Sequence, residues 1–208
     1  MFFPYKVFDN FLEELDLQEL SSIKLKDVND TEKLVYHNRI FKNGHIESSC
    51  LKKEVIIRLH NNYHSKALEL LKFFAPKKIN LYEYSDFHIV IAGKNHSFPI
   101  HTDTPNKLLS GVIYLNPLIN NGTKIYSKNK KKFFNIEWKK NRALFFARSD
   151  NTFHSYSSNG KSNRVTLIYN LMTTDIKGVC RVEKKFFLYL YLLFKMKLKN
   201  FILKFLNF

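Results

Sequence analysis

Apolar residues recur at three- and four-residue steps in the first third of the chain and in short runs after it, so helices are expected first and strands later. Phe11, Leu12, Leu15, Leu17 and Leu20, with Glu13, Glu14, Gln18 and Glu19 between them, predict a short amphipathic helix. From Ser48 to Phe74 the stripe Leu51, Val55, Ile56, Leu59, Tyr63, Ala67, Leu70 and Leu71 predicts a longer helix or helix pair, ended by Pro76. Leu34 to Phe41, with Val35, Tyr36 and Ile40, fits a strand between the two.

From Asn80 onward the texture changes. Strands are expected over Asp86 to Ala92, Leu109 to Leu115, Thr123 to Tyr126, Phe133 to Trp138, Ala143 to Ala147 and Val165 to Leu171. Gly93-Lys94-Asn95, Asn116-Pro117, Asn120-Asn121-Gly122 and Ser158-Asn159-Gly160 supply turn chemistry between them. Helices followed by many short strands argue for an α+β chain whose strands form a sandwich or barrel. The expected division is an N-terminal helical support region over 1–79, a strand-rich core over 80–172 and a basic, apolar C-terminal extension over 173–208. In that extension Phe186 to Phe194 is wholly apolar, and Lys195, Lys197, Lys199 and Lys204 punctuate the apolar residues that follow. Such a helix suits peripheral membrane contact through Phe186 to Phe208, and equally a cap on its own core or a dimer contact.

Charge adds a modest constraint. Lys and Arg number 34 against 18 Asp and Glu, a net charge of +16, which favours anionic partners. The excess is mostly lysine spread along the chain, so a solvated basic surface accounts for it more simply than a dedicated polyanion site, and no specific nucleic acid partner is expected. Cys50 and Cys180 are too few for a disulfide framework and lack the spacing of a zinc or redox site. Met1-Phe2-Phe3-Pro4-Tyr5, with acidic residues following by Asp9 and Glu13, lacks the basic and then apolar regions of a signal peptide, so none is expected, and no apolar run approaches the ~20 residues that span a bilayer. A cytoplasmic, reduced setting, with a peripheral membrane location left open, is the expectation.

The candidate chemistry lies in four residues. His101 and Asp103, two apart in extended chain, point to one side and are able to reach one metal. His154 follows the strand Arg142 to Ala147 and a turn, and Arg164 opens the strand Val165-Thr166-Leu167-Ile168-Tyr169. Two imidazoles and a carboxylate on one face of an octahedral metal leave three positions open, the arrangement of non-haem Fe(II) oxygenases. An arginine in an apolar strand is costly unless an anion pairs with it, and a ligand carboxylate is one such anion. Thr166 shares the face of Arg164. Other candidates are weaker: His60 and His64 carry Asn61 where a zinc protease needs its Glu, and His37, His45 and His88 have no partners in sequence. His96 lies near enough to His101 to line the same pocket, and Arg148 and Asp150 are placed to border the substrate entrance.

In this order the pieces resemble the Fe(II)- and 2-oxoglutarate-dependent oxygenase superfamily, in its prolyl-hydroxylase-like branch. The resemblance covers Tyr82 to Leu171 and rests on His101-Thr102-Asp103, the strand Gly111 to Asn116, the Gly122-Thr123 turn, the strand Arg142 to Ala147, His154, and Arg164-Val165-Thr166. It implies a double-stranded β-helix, a jelly-roll and cupin-like barrel, with supporting N-terminal helices and a C-terminal helical extension. It implies His101, Asp103 and His154 as iron ligands, and Arg164 as the bidentate partner of the distal carboxylate of 2-oxoglutarate. Thr166 would assist Arg164, and Tyr114 occupies a position where related enzymes place a co-substrate-binding phenol. The family's double glycine stands here as Asn121-Gly122, a departure in a turn. The implied cofactors are Fe(II), 2-oxoglutarate and dioxygen, and the implied activity is a dioxygenase that hydroxylates a C–H bond with release of succinate and carbon dioxide. A small-molecule or peptide substrate is expected, and the basic surface favours an anionic one. The competing reading is a non-catalytic β-helix binding module, attached to membrane or polyanion through its basic surface and C-terminal segment.

Overall fold

In the computed structural model, which describes residues 1–185 together with Phe187, Leu190, Tyr191 and Phe194, the chain opens with β1 (Lys6–Phe8), α1 (Glu14–Ser21), β2 (Lys33–Tyr36), β3 (Asn38–Phe41) and β4 (Ile46–Ser48). There follow α2 (Lys53–Phe74), a 3-10 turn (Pro76–Leu81), β5 (Tyr84–Ala92), β6 (Ser97–His101), β7 (Lys107–Asn116) and β8 (Thr123–Tyr126). The remainder is β9 (Phe133–Ile136), β10 (Ala143–Ala147), β11 (His154–Ser157), β12 (Arg164–Met172) and α3 (Ile176–Val182). The strands form two antiparallel sheets. The larger runs β1-β10-β7-β12-β5-β3-β4, with β2 also on β5, and the smaller runs β6-β11-β8-β9.

Period-two alternation in the central strands of the large sheet explains how it serves two environments. On one face Phe87 and Ile89 of β5 and Leu167, Tyr169 and Leu171 of β12 join the apolar core with Leu59, Tyr63, Leu70 and Leu71 of α2. On the other face His88 and Val90, and Arg164, Thr166 and Ile168, line a cavity shared with the small sheet. Both faces are therefore covered, which is why β5 and β12 are buried along nearly their whole length. The result is a jelly-roll-like α+β arrangement with helices on one side.

Several elements differ from the sequence expectation. Of the helix or helix pair expected from Ser48, the structure has the single helix, which begins only at Lys53, and Pro76 sits at the first position of the 3-10 turn, where its fixed φ is favourable and its missing N–H costs nothing. The expected strand Leu34 to Phe41 divides at His37, so that β2 pairs with Ala92 to Ile89 and β3 with Asp86 to Tyr84 along the same edge of β5. Residues 1–79 therefore add strands as well as helices to the large sheet, since β1 pairs with β10 in addition. Four strands lacked a legible signal: β1, β4, β6 and β11 are only three to five residues long, too short for an alternation to show. Pro99 within β6 is tolerated because β6 is an edge strand. The expected helix over Phe186 to Phe208 lies outside the described residues, apart from Phe187, Leu190, Tyr191 and Phe194, which are exposed. Among the described residues no helix is long and apolar enough to cross a membrane.

Candidate metal centre and buried arginine

Pairing of the two short strands of the small sheet brings the first candidate ligands together. His101 ends β6 and His154 begins β11, and the two stand directly opposite in the antiparallel register. Their ring centroids are 4.2 Å apart. Asp103, two residues beyond His101, completes the group, with one ligand atom from each residue within 4.8 Å of the others.

Each imidazole is fixed through its Nδ1. That of His101 is 2.9 Å from the Pro99 carbonyl oxygen and that of His154 is 2.9 Å from the Thr152 carbonyl oxygen. A carbonyl only accepts, so Nδ1 carries the hydrogen and Nε2 keeps a lone pair for a metal. Burial, and then the neighbouring His154, press the His101 pKa down to about 4, and burial lowers that of His154 as well, so both rings are neutral at physiological pH. Asp103 is buried, which by itself would favour the acid form; the charge of Lys107 and hydrogen bonds from Lys107 and Ser110 outweigh that and hold it well below the usual carboxylate range. Lys107 Nζ donates to Oδ1 at 2.7 Å and Ser110 Oγ to Oδ2 at 2.6 Å. Neutral imidazoles beside an ionised carboxylate are the donor set a divalent first-row metal takes.

The same cavity, about 280 Å³, is lined by Arg164 and Thr166 from β12. Arg164 is only 2% exposed, and its Nε and Nη2 have no hydrogen-bond partner; neither has Thr166 Oγ1. Three aromatic rings surround the guanidinium, Tyr156 at 4.2 Å, Trp138 at 5.1 Å and Tyr114 at 5.5 Å from ring centroid to Cζ. Their faces attract the cation, but they offer no carboxylate, and burial lowers the Arg164 pKa below its ordinary value. A desolvated charge without an anion costs several kcal/mol. The fold thus holds a cationic fork facing a cavity, with hydrogen-bond capacity left for a bidentate anion.

Tyr114 lies against Arg164 without lining the cavity. Its hydroxyl donates to Thr123 Oγ1 at 2.9 Å and accepts from the Thr123 N–H at 3.0 Å, and its ring stacks on Trp138 at 4.5 Å. With the phenol engaged there, Tyr114 backs Arg164 from outside the cavity lining, and Tyr156, which does line the cavity, lies closer to the guanidinium. Tyr156 is two residues beyond His154 on the same strand, so period-two reading from the histidine would have found it.

Arg148 and Asp150 do not border this cavity. They line a larger hollow of about 520 Å³ near Phe74, Lys78 and Glu183. Arg148 is buried because Glu183 neutralises it at 2.8 Å, and its Nε donates to the Asp103 carbonyl oxygen at 3.0 Å, steadying the backbone of the candidate ligand. His96 likewise turns away, its Nδ1 on the Thr31 carbonyl oxygen at 2.9 Å. His37 and His88 were expected to be structural and unpartnered, yet they meet Asp86. Asp86 Oδ2 is 2.7 Å from His88 Nε2 and 3.1 Å from Arg39 Nε, so this carboxylate already has a cationic partner.

Two facing antiparallel sheets with a His-Asp-His group between them give the chain a fold like that of solved prolyl-4-hydroxylases and 2OG-Fe(II) oxygenase family proteins. It is similar to a prolyl-4-hydroxylase from Pseudomonas putida, with a TM-score of 0.57 and 13% identity over 81% of this chain and 92% of that one. A 2OG-Fe(II) oxygenase family oxidoreductase from Burkholderia pseudomallei gives a TM-score of 0.55 and 14% identity over 81% of this chain and 84% of that one. A prolyl hydroxylase from Trichoplax adhaerens, solved with a hypoxia inducible factor oxygen degradation domain peptide, gives 0.53 and 15% over 84% and 86%. No protein-family model and no curated protein matches the sequence. At these identities the likeness is one of fold.

Proposed function

We propose that this chain is an Fe(II)- and 2-oxoglutarate-dependent dioxygenase with a double-stranded β-helix core, hydroxylating a C–H bond of a small-molecule or peptide substrate. The observation that carries the reading is Arg164: a buried guanidinium with two free nitrogens lines the very cavity in which His101, Asp103 and His154 converge. A metal alone would explain the triad, and a dicarboxylate chelating that metal explains both.

In this reading His101 Nε2, His154 Nε2 and a carboxylate oxygen of Asp103 hold Fe(II), and Arg164 with Thr166 Oγ1 holds the distal carboxylate of 2-oxoglutarate. When bound, Fe(II) and the keto acid supply dioxygen activation, with oxidative decarboxylation to succinate and carbon dioxide and transfer of oxygen to the substrate. The chain itself binds, orients and shields. Carbonyl contacts at Nδ1 fix both ring orientations. The Phe98 ring lies edge-on to His101 at 4.4 Å and Phe146 edge-on to His154 at 5.0 Å, and with Val90, Val112 and Ile168 they form apolar walls that limit water. The peptide in the Trichoplax adhaerens structure supports keeping a peptide side chain among the substrate types. A reduced cytoplasmic setting belongs to the same proposal.

Turnover without added substrate tests the reading, because such enzymes decarboxylate the keto acid slowly on their own. Succinate should form from 2-oxoglutarate only with Fe(II) and dioxygen present, and His154→Ala should abolish it. Succinate formation undiminished in His154→Ala would remove the triad from the reaction.

A further inference from the structure

Electrostatic balance inside the cavity points to what the substrate carries, an inference that rests on the proposed iron and keto-acid site. Among the described residues the cavity is lined by three permanently basic side chains, Lys33, Lys107 and Arg164, and by one carboxylate, Asp103. With Fe(II) and 2-oxoglutarate in place, the charges of the metal and Arg164 cancel those of Asp103 and the dianionic keto acid. Lys33 is then left without a counter-charge, and Lys107 has only the Asp103 carboxylate, which it would share with the metal.

Lys33 is the more telling of the two. It belongs to β2, where it pairs with Ala92, and Ala92 pairs on its other side with Arg164. Directly opposed residues face the same way, so Lys33 and Arg164 share the inner face of the large sheet, two strand spacings or roughly 10 Å apart at the backbone. The Lys33 ammonium lies 3.6 Å from the centroid of the Phe98 ring on the opposite sheet, and no carboxylate pairs with it among the described residues. Its pKa is lowered, first by burial and then by the like charge of Lys107. Two ammonium groups lining one half-buried cavity, of which only Lys107 has a carboxylate partner, are an unfavourable arrangement in the empty protein, and an anion bound between them relieves it. Asp86, the nearest acidic alternative on β5, is occupied by Arg39 and His88.

We infer that Lys33 and Lys107 form an anion-binding subsite, and that the substrate carries a phosphate or carboxylate group bound there. Lys107 also touches Asp103 at 2.7 Å, so an anion held by both lysines lies close to the metal ligands. The oxidised carbon is therefore only a few bonds from the anionic group. Small acids, phosphoesters and acidic side chains meet that requirement; neutral lipids and unmodified prolyl peptides do not.

The test uses the full chain loaded with Mn(II) and 2-oxoglutarate, with inorganic phosphate and acetate as the probes of the two anion types. Paramagnetic broadening of the phosphate phosphorus and acetate carbon signals reads binding near the metal. At least one anion should bind saturably, and Lys33→Gln should weaken it about tenfold or more, as loss of a charge-assisted contact requires, while Lys33→Arg retains most of it. The 2-oxoglutarate affinity should be unchanged in both variants. Absence of broadening in the native protein, or equal binding in Lys33→Gln, would overturn the subsite. Repeating the titration without the keto acid separates the two ideas. Failure of 2-oxoglutarate to bind removes the iron and keto-acid reading, whereas Lys33-dependent anion binding is judged by the anion signals alone.

Discussion

Arg164 carries more of the argument than any single metal ligand. Histidine and aspartate meet often in proteins, and Asp86 with His37 and His88 does so here, but Arg39 already serves that carboxylate. Arg164 has no such partner and is almost wholly desolvated. Its planar fork matters as well as its charge, since two parallel N–H donors fit a carboxylate and a lysine ammonium does not. Arg164→Lys should therefore keep the cation and still weaken 2-oxoglutarate binding roughly ten- to a hundredfold, a loss of about 1.5–3 kcal/mol, with metal affinity preserved. Isothermal titration of the keto acid into the Mn(II) protein reads this directly, and equal loss of metal and keto acid would indicate a structural arginine instead. At this scale the sequence was legible where chemistry demands a rare residue in an odd place, as with Arg164 in an apolar strand. It was not legible for Tyr114, because a tyrosine suits a core, a hydrogen-bond network and a pocket alike, and only the positions of Thr123 and Trp138 decide which.

Among the elements, those with strong periodicity were readable in advance. The α2 stripe, β8 and β10 follow from the apolar pattern alone, and β8 and β10 keep the expected bounds. The strands that carry the histidines were not readable, since Ser97–His101 is short and interrupted by Pro99, His154–Ser157 is short and polar, and the two become strands through each other and β8. The C-terminal turn shows a related effect. Glu183, at the end of α3, meets Lys78 at 2.5 Å from the 3-10 turn and Arg148 at 2.8 Å from the strand end, and it also contacts Lys185. No local pattern predicts that junction; Lys78, Arg148 and Glu183, far apart in sequence, find each other only in the fold. Burial opposes ionisation of Glu183, but hydrogen bonds from Lys185 and Lys78 and the surrounding cations dominate and bring its pKa from 4.5 to about 2. A depressed carboxyl pKa means that the folded state binds its proton less readily than the unfolded chain. The stabilisation is thus complete above pH 4.5 and is lost as the pH falls toward 2. In Glu183→Gln the fall in stability across that window should be shallower, as followed by urea unfolding at successive pH values; an unaltered slope would mean that the junction contributes nothing in acid.

On the scale of the whole molecule, the two faces of the large sheet divide the labour. The face toward α2 is apolar and holds the fold together, while the face toward the small sheet gathers His88, Arg164, Thr166, Lys107 and Ser110 in the cavity. Alternation along β5 and β12 made this division possible to foresee, but which sheet would close over the polar face depended on strands too short to read. The central claim is that metal and keto acid occupy this cavity together, each held by its own residues. Its most direct measurement is the visible absorption of the protein under anaerobic conditions, with Fe(II) present, as 2-oxoglutarate is titrated in. A weak metal-to-ligand charge-transfer band should rise to saturation in the native chain, and in Arg164→Ala it should require a much higher keto-acid concentration. A folded, iron-loaded native protein that shows no such band at any 2-oxoglutarate concentration would contradict the account.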